Sequence, residues 1–176
     1  AIPEKSEIYH IPGNKALSPD QRRTRFNRFY APFRDMLLQW IERKQSAGVN
    51  PTLLTVHSFT PVFHGARREV DIGVLHDADA RLADRIISSA SGDSSFLVRR
   101  NEPYGPADGV TFTLAEHALP RGLLNVMFEI RNDLITEQSG QGKVADWLSR
   151  HVTAALSDLR GDDRSPAHAG HAEDSR

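Results

Sequence analysis

The chain has 176 residues and a formal net charge of -1, and it contains no cysteine. The absence of cysteine excludes disulfides, thiolate metal sites and a cysteine nucleophile, so any metal must be held by histidine and carboxylate side chains. The balanced charge provides no overall field that would attract nucleic acid or an anionic membrane. Because no apolar run is long enough to span a bilayer and no secretory signal is recognisable, the sequence predicts a soluble, cytoplasmic protein without nucleic-acid or membrane partners.

The first third of the chain predicts an irregular segment followed by a long helix. Ser18 is a suitable N-cap, and Pro19 fits the first helical position. Apolar side chains then recur every three or four residues up to about Ser46, and Pro32 is expected to kink the helix. Gly48 is expected to end it.

The rest of the chain alternates between strand patterns and helix patterns. The most apolar strand pattern, at residues 123–130, is predicted to be central. Strands interleaved with helices predict an α/β fold, a three-layer sandwich with a mixed, largely parallel sheet. Residues 1–160 are predicted to form one domain and residues 161–176 a disordered tail. The other predicted strands are 52–57, 70–75, 96–99 and 110–115, and the predicted helices are 79–90 and a last helix that begins after Gly140 and Gly142 and ends near Leu159.

The stretch Leu-Leu-Thr-Val-His-Ser-Phe-Thr-Pro at residues 53–61 ends an apolar strand pattern on His57. This pattern predicts a buried strand that delivers an imidazole to the rim of the sheet, where open α/β sheets place ligands and catalytic groups. A histidine in that position can bind a metal or transfer a proton. The alternative is a structural histidine that is hydrogen-bonded to the following loop.

A second polar group lies inside the most apolar strand pattern, in the stretch Met-Phe-Glu-Ile-Arg at residues 127–131. Burying Glu129 as an ion costs several kcal/mol unless the charge is paired or coordinated. The functional interpretation is a general base whose pKa is tuned by burial. The alternative is an ion pair at the sheet rim between Glu129 and Arg131, which lie two residues apart on one face of the strand.

At the ends of neighbouring strands, His57 and Glu129 would form a hydrolytic site, in which a divalent metal on the imidazole polarises a carbonyl and the carboxylate moves a proton. One histidine is not a complete site, since catalytic zinc takes about three protein ligands. No HExxH pair is present, and no spacing marks another histidine as a ligand. The remaining candidates are His10, His64, His76 and His117.

Further polar residues cluster at the predicted ends of strands and loops. The turn Asn-Glu-Pro-Tyr-Gly at residues 101–105 offers an amide and a phenol. Arg67 and Arg68 follow the strand of His57, and an arginine at such a rim commonly holds a substrate carboxylate in a bidentate geometry. The alternative is a pair of solvated loop residues.

Five stretches of the sequence closely resemble the N-formylglutamate amidohydrolase family in their residues, order and approximate spacing. The His-Ser-Phe-Thr-Pro and Glu-Ile-Arg-x-Asp-Leu-Ile blocks together are specific, and the resemblance extends over residues 1–159. The stretches are Ile-Pro-Gly-Asn at 11–14, Val-His-Ser-Phe-Thr-Pro-Val-Phe at 56–63, Gly-Val-Leu at 73–75, Asn-Glu-Pro-Tyr at 101–104 and Phe-Glu-Ile-Arg-Asn-Asp-Leu-Ile at 128–135.

The resemblance implies a zinc-dependent hydrolase with the α/β fold of the zinc carboxypeptidases and of phosphorylase/hydrolase-like proteins. It implies cleavage of the amide of N-formyl-L-glutamate to formate and L-glutamate, a late step of histidine degradation. The partner molecule would then be a small N-acyl amino acid that carries a carboxylate. By resemblance, His57 is a metal ligand and Glu129 is the catalytic base. The substrate-binding candidates that it implies are Arg67, Asn101, Tyr104, His117 and Arg131.

The chain departs from the family pattern at its start. Family members carry a further segment before the position of Ala1, with an acidic residue and a histidine that are expected to supply the other metal ligands. The chain therefore resembles the carboxyl-terminal two thirds of such an enzyme, with the remaining zinc ligands expected outside it, and weak zinc binding and little activity are predicted for it alone. The alternative is a non-catalytic binding or regulatory domain that kept the fold and lost the ligands. The acyl group cleaved, the metal and the oligomeric state stay open.

Overall fold

A computed structural model describes residues 2–6 and 8–162 of the chain. The chain divides into two units, Ala1–Pro51 and Thr52–Arg176. The prediction of one domain over residues 1–160 stays a prediction, and the predicted tail lies outside the described residues from position 163 onward. Within the described part of the chain, no helix is both long and apolar enough to cross a membrane.

The N-terminal unit is built around a long helical segment that starts as predicted. The Ser18 hydroxyl accepts a hydrogen bond from the Gln21 backbone N–H (3.2 Å), and the Gln21 side chain accepts one from the Ser18 backbone N–H (2.9 Å). This reciprocal capping box satisfies two N–H groups at the helix start. The elements of the unit are β1 (Lys5–Ser6), β2 (Tyr9–His10), a 3-10 turn (Pro12–Asn14), α1 (Pro19–Arg25), a π-helical segment (Phe26–Tyr30) and α2 (Ala31–Ser46).

The predicted interruption at Pro32 takes the form of this π-helical segment. The Ala31 backbone N–H donates to the carbonyl oxygen of Phe26, five residues back, instead of to the residue four back. A proline has no N–H to donate, and its ring crowds the carbonyl four residues before it. A wider turn directly before Pro32 relieves this crowding without ending the helical segment.

The C-terminal unit contains a four-stranded sheet in the order β3-β8-β6-β7. Its strands are β3 (Leu53–Phe59), β4 (Val62–Phe63), β5 (Ala66–Arg67), β6 (Ile72–Leu75), β7 (Val98–Arg100) and β8 (Asn125–Arg131), and its α-helices are α3 (Arg81–Ala90), α4 (Phe112–His117) and α5 (Gln138–Asp162). β3 pairs with β8 in parallel and β6 pairs with β7 in parallel, whereas β6 pairs with β8 antiparallel. All seven residues of β8 are buried, which confirms its central position.

Helices pack on both faces of this sheet, which confirms the predicted layered α/β fold. On one face, Phe128 of β8 belongs to a buried cluster with Leu82 of α3 and Trp147 of α5. On the opposite face, Met127 packs with Leu114 of α4. Burying each of these side chains contributes roughly 1.5–3 kcal/mol to the stability of the fold. The two clusters hold β8 between the helices on either face of the sheet.

The predicted strand at residues 110–115 is wrong, because this segment contains α4. The alternation of Val110, Phe112 and Leu114 suggested one buried strand face, yet Phe112 is 55% exposed. Burial instead falls on Leu114, His117 and Ala118, which are three and four residues apart. That spacing is the helical period, so packing against β8 selects the helix over the short alternating pattern.

Helix α5 begins earlier than predicted, so that Gly140 and Gly142 lie inside it. A Cβ atom on Gly140 would lie 2.1 Å from the carbonyl oxygen of Leu134. The 3-10 turn Asn132–Ile135 therefore approaches the first turn of α5 too closely for any side chain at this position. A close contact with the turn that follows β8, and not helix termination, explains this glycine.

Candidate active site

His57 on β3 and Glu129 on β8 are direct partners across two parallel strands. Paired residues point to the same face of a sheet, and neighbouring strands lie about 4.8 Å apart. The prediction that neighbouring strands bring these two side chains together is thus confirmed. Glu129 is 6% exposed and His57 is exposed, so a buried carboxyl group lies beside an imidazole that solvent can reach.

The carboxyl group of Glu129 has an unusual environment for a charge. Its Oε2 atom is buried and has no hydrogen-bond partner among the described residues. Burial raises the pKa of Glu129 to about 7, and the positive charge of Arg68 opposes this rise. Near neutral pH the group is therefore divided between its charged and neutral forms. The alternative of a rim ion pair is not seen, because Arg131 pairs with Asp71 and Asp133 instead.

Glu129 should make the folded protein less stable as the pH rises towards neutrality. The pKa of Glu129 is about 7 in the folded chain against an ordinary value of 4.5, so the folded state keeps a proton that the unfolded state has lost. Its contribution is fully present below pH 4.5 and is lost as the pH rises to about 7. The fall in the free energy of unfolding should be at most ~3 kcal/mol. Urea unfolding across this interval measures the fall, and Glu129→Gln should remove it; an unchanged pH dependence in that variant would contradict the prediction.

The loop after β7 passes directly over the sheet beside Glu129. Gly73 of β6 is a pairing partner of Glu129, and a Cβ atom on Gly73 would lie 1.9 Å from the carbonyl oxygen of Glu102. Asn101 holds the loop in place, since its backbone N–H donates to a carbonyl of β6 (3.1 Å) and its side-chain oxygen accepts from the His76 N–H (2.9 Å). A glycine inside an apolar strand was the sequence signal for this close backbone approach.

Arg68 lies among three aromatic rings, and its charge acts on Glu129. The preceding Arg67 is exposed on β5. The sequence favoured Arg67 as the substrate-binding arginine, whereas the structure brings Arg68 to the carboxyl group. The distances from its Cζ atom to the ring centroids are 4.4 Å for Phe63, 4.9 Å for Tyr104 and 5.5 Å for Phe59.

The family of the chain is shown by its match to a sequence model. The sequence model described as N-formylglutamate amidohydrolase matches residues 1–136 of the chain. The chain belongs to the N-formylglutamate amidohydrolase family. The resemblance found in the sequence is thereby confirmed, and the matched stretch includes both His57 and Glu129.

Two solved structures are similar to the chain. A gene product of Agrobacterium tumefaciens is 52% identical, covers 90% of this chain with 62% of its own, and has a TM-score of 0.86. An N-formylglutamate amidohydrolase from Ralstonia eutropha JMP134 is 21% identical, covers 82% of this chain with 56% of its own, and has a TM-score of 0.60, which supports the fold alone. The chain thus spans less than two thirds of the length of either structure. A search of the curated proteins finds no match.

The family resemblance makes Arg131 a substrate-binding candidate, but the structure shows its guanidinium engaged within the protein. The side chain is 9% exposed, with Nη1 2.8 Å from Asp71 Oδ1 and Nε 2.8 Å from Asp133 Oδ1. Nη1 also donates to the carbonyl oxygens of Arg68 (3.4 Å) and Glu69 (3.2 Å). Arg131 therefore fixes the segment that carries Arg68, and its contact with a substrate stays a prediction.

The other family-derived candidates occupy different parts of the unit. Asn101 holds the loop over Gly73, and the Tyr104 ring lies against Arg68. His117 is 3% exposed on α4. Their contacts with an N-acyl amino acid stay predictions.

Among the described histidines of the C-terminal unit, His64 and His76 do not complete a metal site with His57. His64 lies in the turn between β4 and β5, with its ring 4.2 Å from that of Phe63. His76 Nε2 lies 3.1 Å from Arg100 Nη1, and because β6 runs antiparallel to β8, His76 follows β6 at the opposite end of the sheet from the carboxyl end of β8. Within residues 2–6 and 8–162, no group of three or more His, Cys, Asp or Glu side chains is arranged to hold a metal ion.

Proposed function

We propose that the chain carries the catalytic base and one metal ligand of an enzyme that hydrolyses small N-acyl amino acids. The proposed substrate is N-formyl-L-glutamate, with formate and L-glutamate as products, in the cytoplasm and as a step of histidine degradation. The observation that carries the proposal is the buried carboxyl group of Glu129, with a pKa of about 7, directly beside the imidazole of His57. Membership of the family supports the class of reaction.

Glu129 can carry one proton through both halves of amide hydrolysis. As a carboxylate, it accepts a proton from the attacking water while the water oxygen bonds to the formyl carbon. As a carboxylic acid, it returns that proton to the nitrogen as the C–N bond breaks, which releases formate and the amino group of glutamate. Its buried Oε2 atom has no partner among the described residues and so is free to take the proton. A pKa of about 7 suits both directions at neutral pH.

The described residues alone do not fit a catalytic zinc ion. His57 is a donor beside Glu129, whereas zinc in catalytic sites takes about three protein ligands. No such group of donors occurs in the part of the chain that the structure describes. We therefore propose His57 as one ligand of zinc or another divalent metal, with the remaining ligands outside the described residues. The exposure of the imidazole supports this role, because a metal ion can reach it.

Zinc titrated into the 176-residue chain should bind only weakly, with little hydrolysis of N-formyl-L-glutamate. The expected Kd lies above the micromolar range, because a single imidazole falls short of the ligand set of a catalytic site. His57→Ala should remove the binding that remains. Calorimetric titration together with an assay of released formate makes both measurements.

His64→Ala is the matched control, because His64 lies in a turn and its ring packs on Phe63. This variant should bind zinc like the unchanged chain. Sub-micromolar affinity combined with turnover would show that the chain holds a complete site. Zinc binding that is unchanged in His57→Ala would remove His57 from the metal site.

A non-catalytic binding or regulatory domain is the second candidate function. The observation that favours it is that the described residues contain no group of three or more side chains that could bind a metal ion. In such a domain, His57→Ala would leave the binding of N-formyl-L-glutamate unchanged. The enzyme proposal instead predicts that this variant loses metal binding and turnover together.

A further inference from the structure

The guanidinium of Arg68 is held in a cage formed by the rings of Phe59, Phe63 and Tyr104, with its Cζ atom 4.4–5.5 Å from the three ring centroids. Aromatic faces attract a cation and exclude water from the faces of the guanidinium plane. The N–H groups at the edge of the plane remain able to donate hydrogen bonds. The cage therefore presents a partly desolvated cation with a defined orientation.

Hydrogen bonds also hold the backbone of Arg68 in place. Its N–H donates to the carbonyl oxygen of Pro61 (2.8 Å), and its own carbonyl oxygen accepts from Nη1 of the buried Arg131 (3.4 Å). The side chain adds a hydrogen bond from Nη1 to the carbonyl oxygen of Thr60 (3.3 Å). Hydrogen bonds to Thr60 and Pro61 and from Arg131 thus hold the backbone and the guanidinium of Arg68 in place, as a binding group requires.

The charge of Arg68 has no ion-pair partner among the described residues. Its positive charge lowers the pKa of Glu129, although the two side chains form no ion pair. Guanidinium N–H groups match the two oxygens of a carboxylate in a bidentate pair. A caged cation whose remaining N–H groups can still donate, and whose charge acts on the carboxyl group of Glu129, is therefore suited to a second, incoming carboxylate.

We propose that Arg68 is the residue that anchors a carboxylate of the substrate, and that the Phe59–Phe63–Tyr104 cage orients it for this purpose. The inference rests on the proposed function for the position of the substrate beside Glu129. It names the substrate class as an N-acyl amino acid with a free carboxylate, and it assigns the recognition to Arg68 in place of Arg67. The neighbouring Arg67 has an exposed side chain on β5, so it is free of the cage.

The test is a titration of the zinc-free chain with N-formyl-L-glutamate, with its α-amide and with its side-chain amide, N-formyl-L-glutamine. The unchanged chain should bind the diacid more tightly than at least one of the two amides. Arg68→Met should weaken binding of the diacid by roughly 30- to 1,000-fold, the usual range when one partner of a desolvated charge pair is truncated. It should leave binding of the amide that lacks the anchored carboxylate unchanged. Arg68→Lys should recover part of the loss.

Arg67→Met is the control, and it should bind all three compounds like the unchanged chain. Equal weakening of the diacid and of both amides by Arg68→Met would show that Arg68 acts through the fold, and this result would overturn the inference. Absence of any binding to the unchanged chain, or a loss confined to Arg67→Met, would overturn it as well. Because no turnover is needed, Arg68-dependent binding found together with zinc binding that is unchanged in His57→Ala would retain the anchor and reject the proposed metal site.

Discussion

Replacing Glu129 with glutamine should lower the rate of formate release from N-formyl-L-glutamate by roughly 10²- to 10⁴-fold. The amide has almost the size and shape of the carboxyl group, but it cannot take a proton from water or return one to the leaving nitrogen. The reference is the slow turnover expected of the unchanged chain at saturating zinc. The variant should fold, and above neutral pH it should be more stable than the unchanged chain, because it no longer buries a charge without a partner.

Glu137→Gln is the matched control for this experiment, since Glu137 is an exposed acid that precedes α5. It makes the same chemical change outside the site and should leave the rate of formate release unchanged. A Glu129→Gln chain that keeps the full rate would exclude Glu129 as the base. Equal losses in both variants would attribute the effect to a general change in charge.

Replacing Arg131 with methionine should lower the free energy of unfolding by about 3 kcal/mol, towards the lower end of the range for breaking a buried ion pair. The variant leaves Asp71, whose side chain is 20% exposed, without its cation, and it removes a donor from the carbonyl oxygens of Arg68 and Glu69. The partial exposure of Asp71 and of Asp133, at 39%, keeps the loss below that of a fully enclosed pair. Urea unfolding at neutral pH measures it.

The control for this prediction is Arg23→Met. Arg23 pairs with Asp20 in the N-terminal unit, and the two side chains are 73% and 92% exposed. An exposed pair of this kind contributes ~0–1 kcal/mol, so the control should unfold almost like the unchanged chain. If Arg131→Met costs no more than Arg23→Met, the network around Arg131 does not fix the segment of Arg68.

The positions of the two strands that carry the site could be predicted because both side-chain patterns are typical of strands. The apolar run before Arg131 is buried on both faces, as expected of a central strand. The run before His57 also forms a strand with nearly the predicted bounds, but the prediction that this strand is buried is wrong. β3 is the last strand in the sheet order, and its Val56 side chain is 59% exposed. The direction of β6 could not be predicted in this way, because four consecutive apolar residues look the same in either direction. Its antiparallel pairing with β8 depends on the complete sheet, and it moves His76 away from the site.

The pairing of His57 with Glu129 followed from two neighbouring strands alone, whereas the surrounding residues needed the full structure. The dipeptide Arg67-Arg68 contains no local signal for which side chain meets Phe63 and Tyr104, because that choice depends on the β4–β5 hairpin and on a loop distant in sequence. Likewise, the sequence could not show that Arg131 would be enclosed by the segment after β5.

The protonation state of Glu129 tests the proposed chemistry most directly. Infrared difference spectra of the unchanged chain and of Glu129→Gln would follow the carboxyl stretch of this one group from acidic to mildly alkaline pH. We expect a transition with a midpoint near pH 7, which matches the pKa of about 7 that burial gives to Glu129. A midpoint near the ordinary value of 4.5 would mean that the group is fully ionised at neutral pH, and it would contradict the claim that burial tunes Glu129 to hold the proton as readily as it accepts it.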